Sequence, residues 1–382
     1  FATGDSITYS ITKASYDELK RIDLLVNLQG VDSTDGVFAV YAPQGAVTTL
    51  QQAFPNDPNI ERFTGFDWES LPVLDTRTNL SKPDIAFAGV DPAQLNAIGG
   101  LTLTNGNSAD VSQLTGNNVF VSQLAADKLN VKTGDTLTVY GNGQTQGLHV
   151  AGIVKPEAAA GVIGTSGLTP DGGVTAPLAL VQQLTGHAGK VNFITVTLHG
   201  TERSSLGRSN AAQITLNSYL ATPAAQQALG IGSTDAKAVK IKQDSVNSAE
   251  TFGNIFTTIF LVLGLFSIAA GVLLIFMIFV MLAAERKSEM GMARAIGAKQ
   301  INLVQSFVAE GMAYDVLSGA IGTALGIAAA FLLVIGGIKL ILGSQGDLFA
   351  AHVTGPSLVV SYCLGVVLTF VAVTATAWRS SR

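Results

Sequence analysis

His149, His187, His199 and His352, with the lone Cys363, are the side chains best suited to hold a metal or act as a nucleophile. Their spacing argues against both. No His-x-x-His or paired cysteine supplies a local metal pattern, and one cysteine builds no disulfide framework. Gly207-Arg208-Ser209-Asn210-Ala211 loosely mimics the tight turn that presents a hydrolase serine, but its second glycine is missing. Gly189-Lys190 is not a phosphate loop. No glycine stands five positions before Gly189, and Val191 occupies the position that needs Ser or Thr. Adjacent carboxylates such as Asp17 and Glu18 read as solvated surface. The reading is of a non-catalytic chain without a metal site. What remains is the charged run 284–311, AERKSEMGMARAIGAKQINLVQSFVAEG, lying between two strongly apolar segments.

The elements around that run follow from the distribution of charge. Residues 1–251 carry 22 acidic and 15 basic side chains, whereas residues 252–382 carry 5 and 7. A water-soluble domain followed by a membrane domain accounts for this asymmetry, and no basic tract invites nucleic acid. The soluble part is long enough to hold itself together by an ordinary core. The chain opens at Phe1 without a signal-like leader, and export of such a domain predicts a further membrane helix before it.

Residues 255–284 contain no charge and, at about 1.5 Å per residue, make about 45 Å of helix against a hydrocarbon core of about 30 Å. Two further apolar runs cover 316–338 and 358–378. With flanking residues, three transmembrane helices are expected at about 253–284, 312–342 and 357–378, the first long enough to project as a stalk. Arg286, Lys287, Arg294 and Lys299 follow the first span, and Arg379 and Arg382 end the third. The 340–356 loop has no lysine or arginine. The loop 285–300 and the C-terminus are therefore expected in the cytoplasm, and residues 1–251 outside. In the second span Ser318, Gly322 and Gly326 fall on one helical stripe beside Gly319, a pattern suited to close helix packing.

Residues 1–251 read as mixed α and β. Strands are expected at 7–11, 23–28, 37–41 and 191–198, and helices at 46–54 and 206–220. A strand–helix pair is expected over 118–129, followed by hairpins to residue 154 with turns at Gly134 and at Asn142-Gly143. Residues 158–173 read as a glycine-rich mobile loop. In the charged run, a short helix over 286–298 ends at Gly297, and Ile301, Val304, Phe307, Val308 and Met312 give an amphipathic lead into the next span. Such a helix can dock in a groove on a soluble partner or merely anchor at the membrane surface.

The stretch Glu285, Arg286, Glu289, Met290, Gly291, Met292, Arg294, Ala295, Ile296, Gly297 and Ala298, followed by Phe307 to Glu310-Gly311, closely resembles the FtsX-like permease family of ABC transporters. The glycines Gly319, Gly322 and Gly326 continue that pattern. Residues 121–129, with Lys132, Gly134, Asp135, Leu137 and Val139 and then 150–154, resemble the MacB-type periplasmic core domain. The resemblance implies an α+β extracytoplasmic domain of that type (1–251), joined to an α-helical transmembrane bundle (252–382) with a long stalk helix. It implies that 286–298 is a coupling helix against a cytoplasmic ABC ATPase, which would hold the ATP and magnesium, this chain itself carrying no cofactor. Glu310 matches the family's glutamate at the membrane boundary. Further implications are a second permease copy or half, a span before the outer domain, and mechanotransmission to a lipid, lipoprotein, peptide or cell-envelope partner. A membrane-anchored receptor or adhesion protein with no ATPase contact is the competing reading.

Overall fold

The computed structural model describes residues 2–28, 40–163, 171–230, 236–285, 292, 295, 297, 300–333 and 352–380. The chain begins with α1 (Ala2–Leu19), β1 (Leu24–Asn27), β2 (Ala42–Pro43) and α2 (Gly45–Ala53), then a long hairpin of β3 (Ile60–Asp75) and β4 (Leu80–Val90). Next come α3 (Pro92–Leu95), β5 (Asn118–Ser122), α4 (Gln123–Leu129), β6 (Thr136–Gly141), β7 (Gln144–Val154), β8 (Gly173–Pro177) and α5 (Leu178–Thr185). The outer part ends with β9 (Lys190–Val191), β10 (Phe193–Leu198), α6 (Ser209–Leu220), α7 (Pro223–Leu229) and β11 (Lys237–Val239). Three long helices follow: α8 (Ile241–Glu285), α9 (Gln300–Leu332) and α10 (Gly355–Ser380). The chain divides into two compact units, one of residues 14–247 and one of residues 1–13 with 248–382.

The first unit is built around β3. The strand order is β11-β1-β10-β3-β4-β8-β5-β7-β6, and β6 pairs back onto β3, so the strands from β3 to β6 close on themselves. The N-terminal half of β3 pairs with β10, and its C-terminal half pairs with β4 and then β6. Closure removes an exposed sheet edge. Inside it pack Val73, Phe87, Val121, Val139 and Val150, each at most 1% exposed, with α4 and α5 contributing Leu129 and Val181. A second core lies under α2, α6 and α7 against β1 and β10. A third gathers Leu19, Phe66, Phe120 and the alanines 158–160.

Local chemistry explains most of these elements. Ser122 ends β5 and caps α4, its Oγ accepting from Ala125 N at 3.4 Å and from Gly173 N at 2.9 Å. Asn142 and Gly143 turn the β6–β7 hairpin with φ of 45° and 71°, the left-handed pair that a two-residue hairpin needs. Asn192 splits the expected 191–198 strand into β9 and β10: its side chain donates to the Trp68 carbonyl at 2.8 Å and accepts from Trp68 N at 2.7 Å.

Three expectations are corrected. Residues 7–11 are part of helix α1, not a strand. Ile7 and Ile11 repeat at the helical i, i+4 interval as well as alternating, and Ser10 Oγ closes onto the Ser6 carbonyl at 2.7 Å. Glu18 is buried at 7% exposure, because it shares a helix face with Ser15 while Asp17 points away. Residues 158–163 are packed rather than loose, with Ala160 fully buried; residues 164–170 lie outside the described residues. The strand expected at 37–41 falls mostly outside them too.

One buried ion pair fixes the start of α8. Lys242 Nζ lies 2.6 Å from Asp23 Oδ1, with side-chain exposures of 0% and 1%. Asp23 also accepts from Ser205 Oγ at 2.6 Å and from Leu198 N at 2.8 Å, so both its oxygens are satisfied. Lys242 gives a further bond to the Glu202 carbonyl at 3.3 Å. Burial pulls the Lys242 ammonium below the ordinary lysine range, and the Asp23 carboxylate opposes that pull. Removing either partner strands a charge in the interior. Asp23→Ala and Lys242→Ala should each destabilise this unit by about 3–5 kcal/mol in denaturant unfolding; unchanged midpoints would show that the pair is dispensable.

Candidate functional site

The long helices carry the features expected of a membrane unit. Residues 241–278 of α8 and 311–332 of α9 are each long and apolar enough to cross a bilayer, and α10 holds a shorter apolar stretch at 355–371. Along α8, Leu263, Phe266, Leu273 and Met277 are 61%, 79%, 67% and 70% exposed. So continuous an apolar surface calls for lipid or protein around it. At 45 residues, α8 is about 67 Å long at about 1.5 Å per residue.

The small-residue stripe of α9 lies at its contact with α10, but the closest approach is one residue from the position expected. Ser318 is exposed, and Gly319 is the glycine packed against α10: a Cβ added there would stand 3.2 Å from Tyr362 Cε2. A Cβ at Gly322 or Gly326 would meet nothing within 4 Å. Those two glycines instead line a groove of about 410 Å³ with Thr323, Ser361 and Gly365. The face of α9 turned inward runs through Gly311, Asp315, Gly319 and Thr323, one residue out of phase with Ser318–Gly322–Gly326. Residues 286–291, 293, 294, 296, 298 and 299 lie outside the described residues, which takes in Arg286, Glu289, Met290, Gly291, Arg294, Ile296 and Ala298. Glu285 ends α8 and is exposed, as are Met292 and Ala295. Gly297 has φ of 101°, a left-handed conformation that breaks the chain before α9 and favours glycine. Glu310 lies in α9, and its side chain is outside the described residues.

Among the scattered histidines, one joins a polar cluster. His352 stacks on Tyr9 with centroids 4.1 Å apart. His187 stands at the end of α5, where the left-handed Gly186 turns the chain back toward β3. There it meets Asp67 and Glu69, which alternate onto the same face of β3. Its Nδ1 is 3.4 Å from Glu69 Oε1, and Tyr41 lies over its ring with centroids 3.9 Å apart. Tyr41 donates its hydroxyl to Glu69 Oε1 at 2.5 Å. Gly89, paired with Asp67 across β3 and β4, lets α5 come this close: a Cβ there would stand 2.8 Å from Val181 and 3.0 Å from the Asp67 carbonyl. Burial pushes the Asp67 carboxyl up to about 7, helped by the neighbouring Glu69 charge. Burial, and then the Glu69 carboxylate, push the Tyr41 hydroxyl above its usual range. Sequence spacing missed this cluster because its members come from three segments far apart in the chain. Ser209, by contrast, is fully buried at the start of α6, so the apparent nucleophile turn presents no serine to a substrate.

Residues 5–214, more than half the chain, match the family model described as MacB-like periplasmic core domain, and residues 261–382 match FtsX-like permease C-terminal. The chain belongs to the FtsX/MacB-type permeases of ABC transporters. Such a permease is a membrane-integral, non-catalytic component with a periplasmic domain, working with a partner ATPase. Among solved structures, this permease is similar to the periplasmic region of MacB from Actinobacillus actinomycetemcomitans, at 15% identity and a TM-score of 0.40, over 62% of this chain and 94% of that one. It is also similar to the extracellular domain of the noncanonic ABC-type transporter YknZ from Gram-positive bacteria, at 14% identity and a TM-score of 0.34, over 53% of this chain and 96% of that one. No curated protein sequence matches significantly. The assignment rests on the two family models.

The glycine geometry of the permease separates two substitutions. Gly319→Leu must displace Tyr362 and should lower the stability of the full chain in detergent by about 1–3 kcal/mol. Gly322→Leu enters open space and should leave thermal unfolding nearly unchanged.

Proposed function

We propose that this permease is the moved subunit of its transporter: a cytoplasmic ABC ATPase drives it, and α8 carries the displacement to the periplasmic domain. The observation that supports this reading is α8 itself, one helix of 45 residues from Ile241 to Glu285. Its length of about 67 Å is roughly twice the hydrocarbon thickness, and its first turn holds the buried Lys242–Asp23 pair. A helix clamped at one end and leading to a charged cytoplasmic segment at the other is suited to transmit movement.

In this reading, residues 1–251 lie outside the membrane. The spans lie at about 253–284, 312–342 and 357–378, and the loop 285–300 and the C-terminus lie in the cytoplasm, as the lysine and arginine distribution favours. Residues 286–298 form the coupling helix, with Glu285, Glu289, Met292, Arg294 and Gly297 among its contacts to the ATPase. ATP and magnesium belong to that partner. Glu310 sits at the membrane boundary, where a carboxylate needs a charged or hydrated neighbour. A second permease copy or half completes the complex, and the exposed apolar face of α8 is consistent with such a neighbour. The cargo is a lipid, lipoprotein, peptide or cell-envelope partner handled outside the membrane.

Affinity purification of the full chain from its native membrane tests the partnership. A stoichiometric ABC ATPase should co-purify, and the paired charge reversals Glu289→Lys and Arg294→Glu should release it while leaving the chain folded. If no ATPase co-purifies and the reversals leave activity intact, the chain is a membrane-anchored receptor or adhesion protein instead.

A further inference from the structure

We propose that Asp67, Glu69 and His187 form a binding site for a divalent cation of the zinc class in the periplasmic domain. Each residue offers one ligand atom, and these atoms all lie within 4.8 Å of one another. The decisive observation is what they lack. Asp67 is 0% exposed, and neither of its carboxylate oxygens has a hydrogen-bond partner. His187 Nδ1 is buried and equally without one, although the rest of its ring reaches solvent. An unpartnered buried carboxylate is among the more unfavourable groups a fold can contain. The Thr185 hydroxyl beside Asp67 already donates to the Val181 carbonyl at 3.0 Å, and the neighbouring Glu69 carboxylate is an electron-pair donor like Asp67 itself. A shared proton would serve one oxygen; a cation serves the whole cluster.

The donor set selects the kind of cation. One imidazole nitrogen and two carboxylate oxygens suit zinc and its transition-metal neighbours. Calcium asks for six to eight oxygens and magnesium for a near-octahedral shell rich in water, and neither is offered. Ligands about 2.0–2.2 Å from a tetrahedral zinc stand roughly 3.4 Å apart. The His187 Nδ1–Glu69 Oε1 separation is already 3.4 Å, and an Asp67 oxygen lies within 4.8 Å of both. The surroundings hold the ligands as an outer shell would. Tyr41 donates to Glu69 Oε1 and lies tilted over the His187 ring, while Asn192 Nδ2 approaches the same oxygen at 3.4 Å. The His187 edge, 31% exposed, gives the ion a path from solvent and leaves coordination open to water or to an atom of a cargo or partner.

The test uses the full chain in lipid nanodiscs, stripped with EDTA and titrated with zinc chloride alone. One equivalent of zinc should bind and raise the thermal midpoint. Cobalt in its place should give the visible d–d bands of a low-coordinate nitrogen–oxygen site. His187→Ala and Glu69→Gln should abolish the shift while keeping the far-UV circular dichroism of the parent, and Tyr41→Phe should weaken binding about tenfold. Asp67→Asn, which removes the buried charge, should fold without zinc and no longer respond to it. Zinc uptake that is absent, or equal in the parent and in His187→Ala, would overturn the proposal, as would stabilisation by calcium but not by zinc.

Discussion

The Asp23–Lys242 pair is the contact on which the mechanical reading depends. It is fully desolvated, and Ser205, Leu198 N and the Glu202 carbonyl complete it. Two charges withdrawn from water gain little net stability, but their separation is strongly unfavourable, so the joint resists being pulled apart. Its position gives it meaning. Asp23 leads into β1, next to β10 in the sheet, and Lys242 is in the first turn of α8. The pair therefore ties the beginning of a 45-residue helix to the sheet of its own unit through an ionic clamp rather than a flexible tether.

β3 plays the corresponding part within the periplasmic domain. Its sixteen residues pair with β10 at one end and with β4 and β6 at the other, so the open sheet and the closed strands share one backbone. Asp67 and Glu69 fall between those two regions. Polar side chains at such a junction are stabilised when something pairs with them, and Tyr41, Asn192 and His187 arrive there from loops rather than from the sheet. The fold brings scattered acid and imidazole groups together where the sequence gives no local sign of it.

The sequence was most legible where a single physical requirement dominates. The apolar runs of α8 and α9, the Asn142-Gly143 turn and the strand–helix pair over 118–129 each follow from local composition, and each corresponds to an element of the structure. It was least legible where tertiary contact decides. The long β3–β4 hairpin, the burial of Glu18 and the pairing of Lys242 with Asp23 depend on partners far away in the chain. Residues 7–11 illustrate the difficulty well: Ile7, Tyr9 and Ile11 alternate there as in a strand, yet Ile7 and Ile11 also repeat at the helical interval, and the helix prevails. In the second span, the contact face was displaced by one residue because Gly319 and Ser318 fit the small-residue pattern equally well, and only Tyr362 on α10 distinguishes them.

The most direct test of the central claim is the distance between spin labels at the exposed positions Ile214 and Val367, measured by electron double resonance in nanodiscs with the partner ATPase. The account predicts that the distance distribution shifts between nucleotide-free and ATP-bound states, and that inserting two glycines between Ala269 and Ala270 of α8 abolishes the shift while the ATPase remains bound. A distribution that ATP leaves unchanged, or a shift that survives the insertion, would contradict it.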